Sequence, residues 1–385
     1  LFNNAMFKEV DFKSQRTNCR GRIYEPASKD SNGAGVVLAH GFCGTMDTGL
    51  FPYAEAFAKA GFHALVFDYR GFGLSDGKPR QYVSVPRQRR DWARAIYTLR
   101  SHANVDSECI GLWGMSFSGG HVIHMAHKDP TIRAVVAQVP AIDPILSMNI
   151  GNYERGVKKT LQIQQQLTKR AIERLFLKKP EMMLAAPNND NDVAVLAAKE
   201  AQIYPKLGGP SWRNELHPDS FLTGELNENN ASLLTDDLTA PMLIQMGESD
   251  RLVSNEAIGN FARRCGPLAK LTTYDAEHFT MLQNNRIRKL AIDEAIDFSV
   301  SSSSDPTEIT VAAISSGEPT FYLLKKSRKG TSGTIQTTSY TLGNYESFPT
   351  LTLSAANIGG IIDIVDSDNN QYFEVDYLAQ DFIFD

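Results

Sequence analysis

Short apolar segments alternate with amphipathic ones between Gly35 and Pro140, and this alternation constrains the fold more than any other feature. The apolar segments are "AGVVLA", "HALVF", "ECIGLWGM" and "IRAVVAQ". They are apolar on both faces, which is typical of buried parallel strands covered by helices on each side. The intervening segments, such as "RQRRDWARAIYTLRSHA", have helical periodicity. The alternation therefore predicts an α/β fold with a mostly parallel, doubly wound sheet.

The alternation stops after Pro144 and returns at "LTAPMLIQMGESDRLV". The interval includes a proline-free segment, 151–179, whose apolar residues have the spacing of one or two amphipathic helices. These apolar residues are Val157, Leu161, Leu167, Ile172, Leu175 and Phe176. Two interpretations remain open: a surface helix packed on the sheet, or a helical cap inserted over an active site at about 145–235.

The composition changes at "SSSSDP". Residues 301–385 contain four Lys or Arg and eleven Asp or Glu, a net charge of −7, whereas residues 1–300 carry +2. Strand-like segments such as "TEITVAAIS", "TFYLLKK" and "PTLTLS" are separated by turn-forming residues. This pattern predicts a domain over 1–300, a serine linker and a small, acidic, β-rich module over 301–385.

Charge and composition exclude several functional classes. A net charge of −5 provides no basic field for nucleic acid, and no apolar run approaches the roughly 18 residues of a membrane span. The four cysteines are widely separated, which favours a reducing compartment, and we expect a cytoplasmic protein. The sequence has no metal-ligand spacing, phosphate loop or dinucleotide fingerprint, so we expect no cofactor and no metal.

Ser116 lies in "GMSFSGG", directly after the apolar segment "ECIGLWG". A nucleophilic serine on a sharp strand-to-helix turn needs small neighbours, and Gly114, Ser118, Gly119 and Gly120 are all small. The stretch differs from the motif G-x-S-x-G because position 118 is serine. Two interpretations remain: an activated nucleophile, or an inert serine in a glycine-rich loop.

A serine nucleophile needs a histidine base and a carboxylate that orients the histidine. Asp250 ends "GESD" after a buried segment, and His278 follows 28 residues later in "YDAEHFTML". This gives the order serine, acid, histidine that is typical of one hydrolase arrangement. Glu248 is the rival acid, whereas Asp68 and Asp76 would break the order.

Two backbone N–H groups should stabilise the oxyanion of an acyl transfer. The sequence predicts the N–H of Phe117 and one N–H of the "HGF" turn, at Phe42. The apolar side chains near the serine, including Met115 and Trp212 as substrate-binding residues, favour an acyl group of medium size. The alternative is that these side chains are packed in the core.

A set of motifs resembles one branch of the α/β-hydrolase superfamily, over roughly residues 7–300. The motifs are "LAHGFCGTMDTGLFPYAEAFAKAGFHALVFDYRGFGLSDG", "DWARAIYTLRSH", "GLWGMSFSGGHV", "AQVP", "SWRNE", "GESD" and "EHF". That branch contains bacterial esterase-like hydrolases and fungal polyketide transferases and thiohydrolases, and the X-prolyl dipeptidyl-peptidase type is more distantly similar. The resemblance implies Ser116 as nucleophile, Asp250 as acid and His278 as base. Glu277 departs from the "GHF" often found in the family, and we expect its charge to raise the pKa of His278.

Motifs and resemblance together predict a serine hydrolase that cleaves small-molecule carboxylic esters or thioesters through an acyl-enzyme on Ser116. Transfer of the acyl group to an alcohol by the same residues remains open, because both reactions share the acyl-enzyme. A third hypothesis gives the 301–385 module a structural or assembly role, with a homo-oligomer as its product and the hydrolase domain as a passenger.

Overall fold

The computed structural model describes residues 7–176, 178–303, 308–315, 318–325, 339, 364–365, 367 and 371–372. The chain divides into two compact units, Leu1–Pro306 and Thr307–Asp385. Within the described residues, no helix combines the length and the apolar character needed to cross a membrane.

The first unit is built on one eight-stranded sheet. Its strands are β1 (Phe7–Ser14), β2 (Thr17–Tyr24), β3 (Gly35–Ala39), β4 (His63–Phe67), β5 (Ile110–Met115), β6 (Ala134–Gln138), β7 (Met242–Gly247) and β8 (Ala269–Tyr274). The spatial order is β1-β2-β4-β3-β5-β6-β7-β8. Strand β2 runs antiparallel to both of its neighbours, β1 and β4, whereas the pairs from β4 to β8 are all parallel. The predicted mostly parallel α/β sheet is therefore confirmed.

Helices cover both faces of the sheet. They are α1 (Phe51–Lys59), α2 (Val85–Arg100), α3 (Phe117–Lys128), α4 (Pro144–Leu175), α5 (Tyr204–Leu207), α6 (Asp219–Leu222), α7 (Asn255–Cys265), α8 (Thr280–Gln283) and α9 (Asn285–Ser303). Successive strand residues point to opposite faces, so Val37 belongs to the core on the face covered by α2, α3 and α7, whereas Val36 belongs to the core on the face covered by α1 and α9. Strands β3, β4 and β6 are buried along their whole length because both faces are covered.

The segment between β6 and β7 contains α4, α5, α6 and two 3-10 turns, Lys199–Ile203 and Glu225–Asn229. Helix α4 bends at Gly156, whose φ of 75° and ψ of 165° are not helical and are accessible to glycine at low cost. Because the bend interrupts the helix, the two halves of α4 follow different directions.

Of the six apolar residues used to predict this helix, five are exposed, and only Leu167 packs against the core. Val157 and Leu175 are 78% and 79% exposed, and Phe176, just after the helix, is 70% exposed. Helix α4 buries Ile163, with Leu167 packed on the same core, and its buried Arg170 donates to Asp219. Most of the apolar residues listed from the sequence therefore do not mark the side that α4 buries, which carries Ile163 and Leu167. The choice between a surface helix and a cap over about 145–235 stays a prediction.

The second unit is described only in part. Strands β9 (Glu308–Ser315) and β10 (Glu318–Lys325) pair antiparallel, as do β11 (Ile364–Val365) and β12 (Gln371–Tyr372). The predicted strand "PTLTLS" and most of the predicted β-rich module lie outside the described residues. Helix α9 continues to Ser303, so the serine run predicted as a linker begins inside a helix.

Candidate active site

Ser116 occupies a sharp turn between β5 and α3. Its φ of 56° and ψ of −116° are strained for a residue with a Cβ. The turn is held by a bond from the Ser116 N–H to the carbonyl of Gln138 at 2.8 Å. A Cβ at Gly114 would lie 2.3 Å from the carbonyl oxygen of Ser118, so glycine is needed where β5 and α3 approach.

Ser118, the departure from the G-x-S-x-G motif, has contacts of its own. It is fully buried, and its hydroxyl donates to the carbonyl of His40 at 2.5 Å and contacts the hydroxyl of Tyr69 at 2.5 Å. Glycine could not make these bonds. The serine therefore ties the start of α3 to the end of β3, in addition to being small.

Ser116, His278 and Asp250 form one hydrogen-bonded chain. Nε2 of His278 lies 2.9 Å from Oγ of Ser116, and Nδ1 lies 2.7 Å from Oδ2 of Asp250. The other Asp250 oxygen accepts the N–H groups of Leu252 at 2.8 Å and Val253 at 3.2 Å. In the neutral ring, Nδ1 donates to the carboxylate and Nε2 is left to accept the serine proton.

The rival carboxylates lie elsewhere. Glu248 is exposed, and Asp76 is exposed and accepts a bond from Asn18 at 3.3 Å. Asp68 is buried and accepts the N–H groups of Met46 and Leu74, and burial raises the pKa of its carboxyl to about 7. Of the four carboxyl groups considered from the sequence, the one bonded to His278 is Asp250.

Two backbone N–H groups flank Ser116 at the wall of a cavity. Phe117 is the first residue of α3, and Phe42 lies in the turn after β3. In the described part of the chain, neither N–H donates to a protein acceptor. The N-terminus of a helix favours negative charge, so this pair of donors is suited to an oxyanion.

The turn that contains Phe42 is braced by residues between β6 and β7. The Tyr204 hydroxyl donates to the carbonyl of Phe42 at 2.9 Å, and Nε1 of Trp212 donates to the carbonyl of Cys43 at 2.9 Å. Trp212 packs on Tyr204 and is not among the residues that line the cavity. Trp212 was predicted to contact the substrate, but its indole N–H instead bonds the turn after β3 from a position outside the cavity.

The cavity beside Ser116, called here the acyl cavity, has a volume of about 250 Å³. Met115, Phe42 and Phe117 line it, as their predicted proximity to the serine required. Helix α4 and the segment before Glu200 supply further walls. Apolar side chains on these and neighbouring elements include Leu50, Met148, Ile163, Leu167, Val195, Leu196, Phe221, Leu226, Val253, Phe279 and Leu282. The space is suited to an apolar chain attached to a reacting carbonyl.

Glu200 is a site residue that the sequence did not indicate. It lies on the 3-10 turn Lys199–Ile203, and its two carboxylate oxygens accept the N–H of His278 at 2.8 Å and the N–H of Arg251 at 2.6 Å. Burial and the nearby charge of Asp250 raise the pKa of Glu200. No motif surrounds this glutamate, which is 78 residues from His278 in the chain.

The charge that acts on His278 differs from the one expected. Burial of the ring lowers its pKa, but the carboxylates of Asp250 and Glu200 more than offset burial, so the net pKa of His278 is raised. Glu277 is exposed to solvent and is not among the causes of this shift. The expectation for Glu277 is therefore wrong, because its side chain points to water, which screens its charge.

Comparison with known proteins identifies the family of the chain. Residues 30–281 match the family model described as "Serine aminopeptidase, S33". The quorum-quenching protein AidA of Acinetobacter baumannii is 36% identical over 181 residues, 47% of this chain and 58% of that protein. The thiohydrolase aneE of Aspergillus aculeatus is 37% identical over 138 residues, 36% of this chain and 42% of that protein. The chain thus spans about half the length of these two relatives.

The fold is also found in solved structures. The crystal structure of the α/β hydrolase GrgF from Penicillium superposes with a TM-score of 0.64 at 22% identity, covering 78% of this chain and 99% of GrgF. At this level of identity the likeness concerns the fold alone. It assigns the first unit to the α/β-hydrolase architecture expected from the motifs.

Proposed function

Since the chain belongs to the serine aminopeptidase S33 family of α/β hydrolases, we propose that it cleaves carboxylic esters or thioesters through an acyl-enzyme on Ser116. The observation that carries the proposal is the hydrogen-bonded chain Asp250–His278–Ser116, which opens into the apolar acyl cavity. The strained backbone at Ser116 adds support, since strain of this kind clusters at functional sites.

The proposed reaction follows from the positions of the polar atoms. His278 Nε2 takes the proton of Ser116 as Oγ attacks the carbonyl carbon, and Asp250 stabilises the resulting imidazolium. The N–H groups of Phe42 and Phe117 bind the oxyanion of the tetrahedral intermediate. The imidazolium then protonates the leaving alcohol or thiol. Water, deprotonated by His278, releases the acid from the serine in the second half of the reaction.

The substrate class follows from the cavity walls. The acyl cavity is lined mainly by aliphatic and aromatic side chains, which supports an apolar acyl chain of medium length. The similarity to a protein named thiohydrolase supports thioesters as well as oxygen esters. An alcohol could also resolve the same acyl-enzyme, and product analysis with candidate alcohols distinguishes acyl transfer from hydrolysis.

Labelling with a fluorophosphonate tests the proposed nucleophile. The reagent phosphonylates serines that have an activated hydroxyl, so we expect a single modified peptide that contains Ser116. The variant Ser116→Ala is the control and should remain unlabelled. A label on another residue, or equal labelling of the variant, would contradict the proposal. A panel of p-nitrophenyl esters and acyl thioesters of increasing chain length then identifies the preferred acyl group.

The variant Glu200→Gln is expected to shift the pH profile of kcat/KM. The reaction needs neutral His278, so activity is lost as the pH falls through the pKa of this residue. Glu200 raises that pKa, together with Asp250. Removing the Glu200 charge lowers the pKa, so the acidic limb of the profile should move to lower pH.

The matched control for this shift is Glu277→Gln. Glu277 is adjacent to His278 in the sequence but exposed, so its replacement should leave the acidic limb in place. Both profiles are measured with the same p-nitrophenyl ester. If Glu277→Gln moves the limb and Glu200→Gln does not, the conclusion that Glu200 raises the pKa of His278 is wrong.

A further inference from the structure

Arg155 stands at a wall shared by two cavities. It is half-buried in α4, next to the bend at Gly156, and it lines the acyl cavity together with Ser116. It also lines a second cavity of about 180 Å³, called here the polar cavity. Leu196 and Ala197 are shared by the two cavities as well. A cation is therefore placed at the edge of a largely apolar acyl site.

The hydrogen bonds of Arg155 leave part of its guanidinium free. Nε donates to the carbonyl of Ala194 at 3.1 Å, Nη1 to the side-chain oxygen of Asn152 at 2.8 Å, and Nη2 to the carbonyl of Val195 at 2.6 Å. A guanidinium has five N–H groups, so two remain. All three acceptors are uncharged.

Arg155 also has no counter-ion among the residues that the structure describes. In the described part of the chain no carboxylate oxygen lies within 4.0 Å of its guanidinium, whereas the buried Arg70 and Arg170 are paired with Asp91 and Asp219. Burial lowers the pKa of Arg155, which means that the charged form is held at a cost. An incoming anion would offset that cost, and a guanidinium binds carboxylates and phosphates through paired N–H groups.

The acidic side chains of the polar cavity have donors of their own. Three carboxylates line it: Glu154, Asp190 and Asp192. Their donors are, in the same order, Arg251 at 3.5 Å, Gln202 at 2.5 Å and Asn188 at 2.8 Å. Lys159, a second cation of this cavity, donates to the carbonyl of Asp190. The carboxylates are thus engaged away from Arg155, whose charge stays available to a ligand.

We propose that Arg155 binds an oxyanion of the substrate, so that the enzyme selects acyl esters or thioesters that carry a carboxylate on the acyl chain. This inference rests on the proposed function. Arg155 and Ser116 line the same cavity, so one acyl chain can contact both residues. The other source of an oxyanion is the leaving group, for example a phosphate on a carrier thiol.

The test compares acyl groups of equal length with and without a terminal carboxylate. The substrates are p-nitrophenyl half-esters of dicarboxylic acids with four to ten carbons and the corresponding monocarboxylic esters. The measured quantity is the ratio of kcat/KM for the anionic ester to that for the neutral one. We expect Arg155→Met to lower this ratio by about 10- to 100-fold at the best chain length, since a hydrogen bond to a charged group is lost.

Two further variants separate the paired N–H groups of the guanidinium from its charge and provide a control for the loss of a positive charge. Arg155→Lys keeps the charge but not the paired N–H groups, so its ratio should lie between those of the wild type and Arg155→Met. Lys158→Met removes a charge from the same helix at an exposed position that lines neither cavity, and it should leave the ratio unchanged. If Arg155→Met does not fold, the comparison of the wild type with Arg155→Lys still measures how far the ratio depends on the paired N–H groups of Arg155.

The remaining experiments distinguish an anion on the acyl chain from one on the leaving group. They also distinguish failure of the anion site from failure of the proposed hydrolase function. Acyl-coenzyme A and acyl-N-acetylcysteamine differ in the phosphates of the leaving group. A dependence on Arg155 seen only with the former would overturn the acyl-chain assignment. A ratio that Arg155→Met leaves unchanged, with neutral esters still cleaved, would overturn the inference while the proposed function stands. If no ester or thioester is cleaved, the proposed function fails, and the anion site is then tested by the rise in melting temperature with dicarboxylates, which should be smaller in Arg155→Met.

Discussion

Replacing Ser116 with alanine should lower kcat for ester hydrolysis by at least about 10⁴-fold, because the variant cannot form the acyl-enzyme. In the wild type, Nε2 of His278 lies 2.9 Å from Oγ of Ser116. In the variant this oxygen is missing, so His278 has no hydroxyl to deprotonate. The remaining activity would come from substrate binding and from the N–H groups of Phe42 and Phe117. Steady-state hydrolysis of the best p-nitrophenyl ester measures the effect.

The control for this variant is a second serine of the acyl cavity. Ser147 lines the cavity, but its hydroxyl donates to the carbonyl of Asp143 at 2.9 Å, whereas the hydroxyl of Ser116 is bonded to His278. We expect Ser147→Ala to change kcat by less than about tenfold, in contrast to the loss of a nucleophile. Equal losses in the two variants, or full activity of Ser116→Ala, would rule out the proposed nucleophile.

Asp250→Asn should lower kcat by about 10⁴-fold while preserving the fold. The carboxylate accepts a hydrogen bond from Nδ1–H of His278 at 2.7 Å and so leaves Nε2 free to accept the serine proton. An asparagine can present its NH₂ group to Nδ1, which moves the ring proton to Nε2, the wrong nitrogen. The loss of the Asp250 charge also lowers the pKa of His278, so the acidic limb of the remaining activity should move to lower pH.

Glu248→Gln provides the comparison for the acid. Glu248 precedes Asp250 by two residues and is exposed, so its replacement should leave kcat and the pH profile unchanged. Circular dichroism and the melting temperature of both variants distinguish a lost acid from a lost fold. A large loss in Glu248→Gln with little loss in Asp250→Asn would reverse the assignment.

The sheet could be predicted because the amino-acid composition of each strand reflects how deeply that strand is buried. Strands β3, β4 and β6 are short and apolar throughout, since helices cover both faces. The residues of the proposed triad follow from the same pattern. Parallel strands all end at one edge of the sheet, so Ser116 after β5, Asp250 after β7 and His278 after β8 meet there once the strand order is fixed.

The segment between β6 and β7 could not be predicted at the same level. A helical pattern indicates that a helix forms but not which side it buries, and α4 exposes Val157 and Leu175 while it buries Ile163. Trp212 was expected at the substrate and instead bonds the carbonyl of Cys43 from outside the cavity. Both differences arise because packing between distant segments, rather than local periodicity, decides these contacts.

The sequence by itself determined the mostly parallel α/β sheet, the family resemblance of the chain, which depends on short motifs, and the order of serine, acid and histidine. These features are local, because each depends on a strand and the few residues that follow it. Only the tertiary structure decided that Glu200, and not Glu277, acts on His278, and that Arg155 lines the acyl cavity with uncharged acceptors for its three hydrogen bonds. The physical reason is that electrostatic influence depends on distance and burial in space, and folding sets both independently of separation along the chain.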